Sequence, residues 1–264
     1  MSKKKTKDEG NAYSMNMNVL WFSCGVSSAI AAWLCKDELD EIIYCHVDDQ
    51  HEDSMRFLHD VEKLIRREIT VIQANNPSVD YSCRSSKCIV IPGEMFAACT
   101  NCLKKKPRLQ FEINLSYDNP ELNEVTYFWG LDYDEVNRMG GFKKIRTEIP
   151  ANHRFPLHEK ELRKQDCHGL IARLGVRRPV MYDMGYSNNN CIGCVKGGMW
   201  YWNKIRKDFP RVFESRALME RDIGYSCIPG VFLDTLGKNM GRKSKEIDMS
   251  CMLYCEATFR EKTK

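Results

Sequence analysis

Val19-Leu20-Trp21-Phe22-Ser23-Cys24-Gly25-Val26-Ser27-Ser28-Ala29-Ile30-Ala31-Ala32-Trp33-Leu34 is the stretch whose reading decides the fold. Four large apolar side chains in succession predict a buried strand, because a strand covered on both faces has no need to alternate. Ser23-Cys24-Gly25 ends the run, and the apolar spacing from Ser28 to Leu34 predicts a helix. A strand that turns straight into a helix aims backbone N–H groups and the positive end of the helix dipole at the junction. Gly25 permits close backbone approach, and the serine hydroxyls add donors. The turn is a candidate phosphate cradle, with an ordinary serine-capped strand–helix junction as the plain alternative. It is not a Walker A loop or a G-x-G-x-x-G turn, since neither spacing occurs in it.

Working outward, the same β-then-α unit recurs. Residues 42–47 read as a strand, Met55, Phe57, Leu58, Val61, Leu64 and Ile65 recur at helical spacing, and residues 69–72 and 126–130 read as further strands. Residues 75–88 predict a loop and residues 93–115 a helix. Strands alternating with helices imply parallel pairing, so the fold class is α/β with a doubly wound, mostly parallel sheet. Beyond Pro150 the β signal fades and helices are predicted over 159–174, 198–207 and 213–223, giving a helical C-terminal region. The expected organisation is a flexible basic arm over 1–16, a nucleotide-binding α/β domain over 17–150, and a helical region over 151–264 that completes the site.

At 264 residues, 43% hydrophobic and 29% charged, the chain can build its own core without metal or disulfide. A net charge of +4 permits an anionic partner without demanding one. No apolar run approaches the roughly 20 residues of a membrane span, and the lysine-rich start lacks a signal peptide's apolar core, so the expectation is a cytoplasmic protein with no membrane association. In that reducing compartment the thirteen cysteines read as metal ligands, nucleophiles or buried small side chains.

Cys99-Thr100-Asn101-Cys102 and Cys191-Ile192-Gly193-Cys194 are two C-x-x-C pairs. Four thiolates suit zinc or an iron–sulfur cluster equally, with plain burial as the alternative. Cys83, Cys88 and Cys167 are spare candidates. Lys104, Lys105, Lys106 and Arg108 would neutralise phosphates or form an exposed basic helix face. Asp48 and Asp49 follow a strand, where α/β sheets place carboxylates beside a nucleotide or metal, and a solvated loop is the alternative. Trp200-Tyr201-Trp202 with Lys204, Arg206 and Lys207 suits either a single-stranded nucleic-acid surface or a helix packing its aromatics inward, and Phe209, Val212 and Phe213 favour the second.

The turn resembles the Ser-Gly-Gly-x-Asp-Ser loop of the PP-loop pyrophosphatases, matched at Ser23, Gly25 and Ser28, with Cys24 and Ser27 replacing glycine and aspartate. The Asp48 stretch is similar to the one that follows strand two in phosphoadenosine-phosphosulfate reductases. Gly130-Leu131-Asp132, Arg138, Phe155-Pro156-Leu157, Asp166, Gly175-Val176, Pro179, the segment from Met181 to Tyr186, and Cys191-x-x-Cys194 extend the resemblance over residues 18–196. It implies an adenine nucleotide alpha-hydrolase-like fold that binds ATP with Mg²⁺ through Ser23, Cys24, Gly25, Val26, Ser27, Ser28, Asp48 and Gly130. It further implies a [4Fe-4S] cluster on Cys99, Cys102, Cys191 and Cys194, with zinc as the alternative, and catalytic roles for Lys104, Arg138 and Cys251.

The activity so implied is ATP cleavage that activates a nucleic-acid oxygen for sulfur insertion, in DNA phosphorothioation or tRNA thiolation. A sulfur donor such as a cysteine desulfurase and a nucleic-acid substrate would be its partners, and a homodimer is compatible. The rivals are a thioredoxin-dependent phosphoadenylyl- or adenylyl-sulfate reductase and a non-catalytic nucleotide-sensing adaptor with structural zinc.

Overall fold

The computed structural model describes residues 15–89, 97–139, 142 and 147–243. In chain order it builds β1 (Met15–Phe22), α1 (Val26–Cys35), β2 (Glu41–His46), α2 (Asp53–Ile65), β3 (Thr70–Gln73) and α3 (Val79–Ser85). There follow α4 (Ala98–Thr100), a π-helical turn over Asn101–Lys105, α5 (Lys106–Asp118), β4 (Leu122–Trp129), α6 (Val136–Met139) and β5 (Ala151–Arg154). The remainder is helical: α7 (Pro156–Glu159), α8 (Lys164–Arg173), α9 (Val180–Asp183), α10 (Met199–Asp208) and α11 (Pro210–Ile223).

The sheet order is β3-β2-β1-β4-β5, and β1 pairs in parallel with both β2 and β4, as β4 does with β5. The doubly wound, mostly parallel sheet expected from the alternation is therefore present. Val19, Leu20, Trp21 and Phe22 are all buried, which accounts for the unbroken apolar run in a central strand. The chain moves outward from β1 through β2 to β3, then returns to the other side of β1 to lay down β4. That reversal puts the topological switch point between β1 and β4, where open α/β sheets form a crevice at their carboxyl ends.

Several local expectations need correction. Residues 75–88 are not all loop: Ser78 caps α3 by accepting from the Tyr81 N–H at 3.4 Å, with Asp80 in the first turn and Arg84 in the last. The helix expected over 93–115 lies partly outside the described residues, and from Ala98 it is interrupted by the π turn. There the Lys106 N–H reaches five residues back to the Asn101 carbonyl, and Pro107 next has no N–H with which to continue an α ladder. The helix expected over 159–174 begins later, as α8 at Lys164, and Glu159 instead ends α7. β5 has no counterpart among the expected strands, because its sequence Ala-Asn-His-Arg is polar, as an edge strand's can be.

The chain divides into two compact units. One gathers the described residues of Met1–Tyr44, Met55–Ile72 and Arg108–Pro179, the other those of Cys45–Ser54, Gln73–Pro107 and Val180–Lys264. In the first unit, Trp129 and Phe142 meet edge-on at 4.8 Å, and the Trp129 Nε1–H donates to His153 Nδ1 at 3.0 Å. Glu112, Arg108 and Tyr127 are buried together, so Arg108 does not belong to an exposed basic face.

In the second unit, Tyr201 and Trp202 are buried among Tyr186, Ile205 and Phe213, so the aromatic run packs inward. The Tyr201 hydroxyl accepts from the Cys194 N–H at 2.9 Å and donates to the Cys191 carbonyl at 3.1 Å. Arg216, itself buried, is ion-paired with Asp49 and lies 3.8 Å from Asp80.

His153 links this packing to pH. Burial, then the nearby Arg108 charge, lowers it from 6.5 to about 4, so the folded chain holds the imidazole neutral where an unfolded chain protonates it. The stability it contributes is present above pH 6.5 and is lost as pH falls towards about 4. The urea midpoint should therefore drop across that interval. His153→Gln, which keeps an acceptor for Trp129 but does not titrate, should show a smaller drop; equal drops in both proteins would refute the assignment.

Candidate functional site

The turn between β1 and α1 is held by its own hydroxyls. Ser23 Oγ donates to Ser28 Oγ at 3.0 Å, the Ser23 N–H donates to the same oxygen at 3.2 Å, and Ser28 Oγ donates to the Gly25 carbonyl at 2.9 Å. Ser28 is completely buried, so this closed set leaves its hydroxyl well satisfied. Gly25 occupies the N-cap of α1 in an extended conformation, and no side chain caps the helix. Helix geometry gives the first-turn amides no intrahelical acceptor, and their dipole end faces the switch point.

Cys24 adopts φ 56°, the left-handed region that glycine enters freely and other residues enter at a cost of roughly 1–2 kcal/mol. The backbone thus takes a form suited to glycine although a cysteine stands there. Strain of this kind persists where the surroundings over-determine it. Gly25, by contrast, has φ −101° and does not use its conformational freedom.

Gly130, immediately after β4, closes the other side of the switch point. A Cβ built there would lie 2.5 Å from Ser28 Cα and 2.8 Å from Ser28 N, inside any real contact distance. Only glycine lets the end of β4 come this near the start of α1. Residues 23–28 and Gly130, far apart along the chain, are therefore one structure.

Around it, the Cys167 thiol of α8 hydrogen-bonds Ser27. Burial, followed by the charge of Asp132, pushes that thiol up to about 12, so it stays protonated. Asp132 is itself raised by burial, against the Lys164 charge, and its side chain accepts from the Asp134 N–H at 3.2 Å. The position at which the PP-loop pattern carries aspartate is thus occupied by a hydroxyl in contact with a neutral thiol.

No family model and no curated protein matches the chain. Among solved structures, the chain is similar to phosphoadenylyl-sulfate (PAPS) reductase from Candida auris in a phosphate complex, at 9% identity and a TM-score of 0.43, over 64% of this chain and 78% of that one. It is also similar to NMN synthetase from Francisella tularensis, at 13% identity and a TM-score of 0.38, over 78% of this chain and 84% of that one. Likenesses this slight carry no weight for the activity.

The other expected site residues are more scattered. Asp48 belongs to the second unit, with its side chain 61% exposed and 3.6 Å from His46 Nε2. Its neighbour Asp49 is a brace: it accepts from the Val79 N–H at 2.7 Å, pairs with Arg216, and through its carbonyl accepts from the Ile192 N–H at 2.7 Å. Lys104 donates to the Cys45 carbonyl at 3.1 Å. Arg138 is buried and paired with Glu135. Cys251 lies outside the described residues.

The expected metal ligands do not fit a cluster. Among the described residues no three His, Cys, Asp or Glu side chains converge as a metal-ion site. Cys194 packs with Tyr201 and Trp202, whereas Cys99 and Cys191 belong to a separate apolar cluster with Val47, Val79 and Met219. The Tyr201 hydroxyl bridges the backbone of the downstream C-x-x-C. That pair is a folded turn with a structural hydrogen-bond partner.

Proposed function

We propose that the chain is a PP-loop-type ATP pyrophosphatase, which binds ATP with its phosphates on the turn from Ser23 to Ser28 and cleaves it between the α- and β-phosphates. The adenylate so formed activates a nucleic-acid oxygen for sulfur insertion, as in DNA phosphorothioation or tRNA thiolation. One observation carries the reading: a helix N-terminus with no side-chain cap at Gly25, a left-handed Cys24 and a glycine in obligatory contact meet at the β1/β4 switch point.

In this reading the amides of the first turn of α1 receive the pyrophosphate, and the link from Ser23 through the buried Ser28 hydroxyl to the Gly25 carbonyl holds the turn in the shape that receives it. Gly130 leaves the space for the backbone to approach. Mg²⁺ bound with the nucleotide would supply charge withdrawal from the leaving pyrophosphate. Because Ser27 offers no carboxylate, the turn holds phosphates rather than metal. A sulfur donor such as a cysteine desulfurase and a cytoplasmic nucleic-acid acceptor complete the proposal.

Titration calorimetry with ATP and Mg²⁺, together with pyrophosphate release with and without DNA or tRNA, tests it. Ser28→Ala removes the hydroxyl that joins Ser23 to Gly25, and the expected loss is about 1.5–3 kcal/mol, or roughly 10- to 150-fold in ATP affinity. Unchanged affinity in Ser28→Ala would remove the turn as the phosphate site. Sulfite release from a sulfonucleotide without ATP consumption would replace the reading with a reductase.

A further inference from the structure

The chemistry proposed for the cradle leaves unused a cavity of about 650 Å³ in the first unit. Phe142, Thr147 and Phe155 wall it, and so do three consecutive residues of β5, Ala151, Asn152 and His153. Neighbouring residues of a strand send their side chains to opposite faces, so a cavity that touches all three lies against the edge of the strand itself. β5 is the outermost strand of the sheet, and along that edge no strand accompanies it among the described residues.

The register identifies the backbone groups that reach the cavity. The Val125 N–H donates to the Pro150 carbonyl at 2.9 Å, and in a parallel pair alternate residues face the neighbouring strand. Pro150 and Asn152 therefore turn towards β4, whereas Ala151 and His153 turn their N–H and C=O groups outward. The His153 side chain adds a further donor. An indole N–H can only donate, so the 3.0 Å bond from Trp129 Nε1 makes His153 Nδ1 the acceptor and puts the ring proton on Nε2. The imidazole stays neutral down to about pH 4, which keeps that tautomer in place.

The walls are aromatic. Phe142 meets Phe155 edge-on at 5.1 Å and His153 edge-on at 5.5 Å, so the rings form a corner in which a flat ring can pack. No residue lining the cavity carries a charge, which disfavours an ionic ligand. Size, aromatic walls and a few placed polar groups are the features of a small-molecule site. Donors and acceptors alternating along a strand edge match the hydrogen-bonding edge of a nucleobase.

We propose that this cavity binds an uncharged nucleobase or nucleoside, packed among Phe142, Phe155 and the His153 ring and hydrogen-bonded to the outward backbone of Ala151 and His153 and to the His153 Nε2–H. It shares no residue with the cradle, and the proposal does not depend on ATP binding there.

The test uses the full chain with 4-thiouridine and 6-thioguanosine, uncharged nucleosides that crosslink under near-ultraviolet light. Cleavage after Arg146, Arg154 and Lys160 releases residues 147–154 and 155–160, which carry Thr147, Ala151, Asn152, His153 and Phe155. The expected outcome is label from at least one probe in these peptides, suppressed by excess uridine or guanosine and undiminished by ATP with Mg²⁺. In calorimetry the matching 5′-monophosphates should bind no more tightly than the nucleosides.

Thr147→Trp fills the cavity from its wall and should abolish binding. His153→Phe keeps a ring but removes the Nε2–H, and should weaken binding roughly 3- to 10-fold. The wild-type crosslink decides the matter even if a variant folds poorly. The proposal fails if neither probe labels these peptides, or if unlabelled nucleoside does not compete. It fails equally if ATP displaces the label, which would make the cavity part of the cradle's own nucleotide site. A crosslink retained in Ser28→Ala separates this result from the nucleotide reading, because either can fail alone.

Discussion

Gly130→Ala is expected to lower ATP affinity by about 100-fold or more and to destabilise the chain by about 1–3 kcal/mol. A single added methyl would sit 2.5 Å from Ser28 Cα, and that neighbour is backbone in the first turn of a buried helix, not the end of a flexible side chain. Relief requires α1 or the end of β4 to move. Either motion pulls Ser28 Oγ off the Ser23 hydroxyl and the Gly25 carbonyl, which hold the turn together. Calorimetric titration with ATP and urea unfolding of the same protein give the two readouts. Wild-type values in both would show that the turn and the end of β4 are not packed as described.

Arg216→Met should cost about 3–5 kcal/mol, a large part of the roughly 5–15 kcal/mol that holds a typical domain folded. Burial works against the Arg216 charge, but the carboxylates of Asp49 and Asp80 outweigh it and raise its pKa. Removing the guanidinium leaves Asp49, whose side chain is only 15% exposed, without its partner. It also removes the Nε–H that donates to the Gly193 carbonyl at 3.3 Å. Asp49→Asn in the same protein should recover part of the loss, since it takes away the stranded charge while keeping an acceptor for the Val79 amide. Urea midpoints of the wild type, both single variants and the double variant complete the cycle; a midpoint for Arg216→Met close to wild type would refute the brace.

The central part of the fold is legible in the sequence because β1, β2 and β4 are apolar runs and α1 follows its strand without a linker. β5 escapes because an edge strand gains its place from backbone pairing with β4 and from contacts such as Arg154 over the Phe128 ring, neither of which leaves an apolar period. α3 escapes because its short sequence, Val-Asp-Tyr-Ser-Cys-Arg-Ser, is polar enough to pass for loop; the cap at Ser78 with Asp80 behind it is the available signal.

The polar character of α3 also hides the burial of Cys83. C-x-x-C spacing along the chain favours Cys99 with Cys102 and Cys191 with Cys194, whereas α3 brings Cys83 into the same apolar cluster as Cys99 from a segment that passes for loop. Spacing reveals ligands that share a turn, and it is silent about neighbours supplied by a different element. For the turn itself, Ser23 and Ser28 are legible by position. The left-handed form of Cys24 is not, since nothing in the residue type calls for it.

The three-way hydroxyl link among Ser23, Gly25 and Ser28 also bears on how a ligand would be met. A loop that must be ordered on binding loses part of its interaction energy to that ordering. Here the loop is tied and wedged against Gly130 before any anion arrives, so the entropic cost has been met during folding. The Ser23 amide hydrogen, which donates to Ser28 Oγ, should exchange slowly in the free protein and slow little further on ligation, with association limited by encounter rather than by closure of the loop.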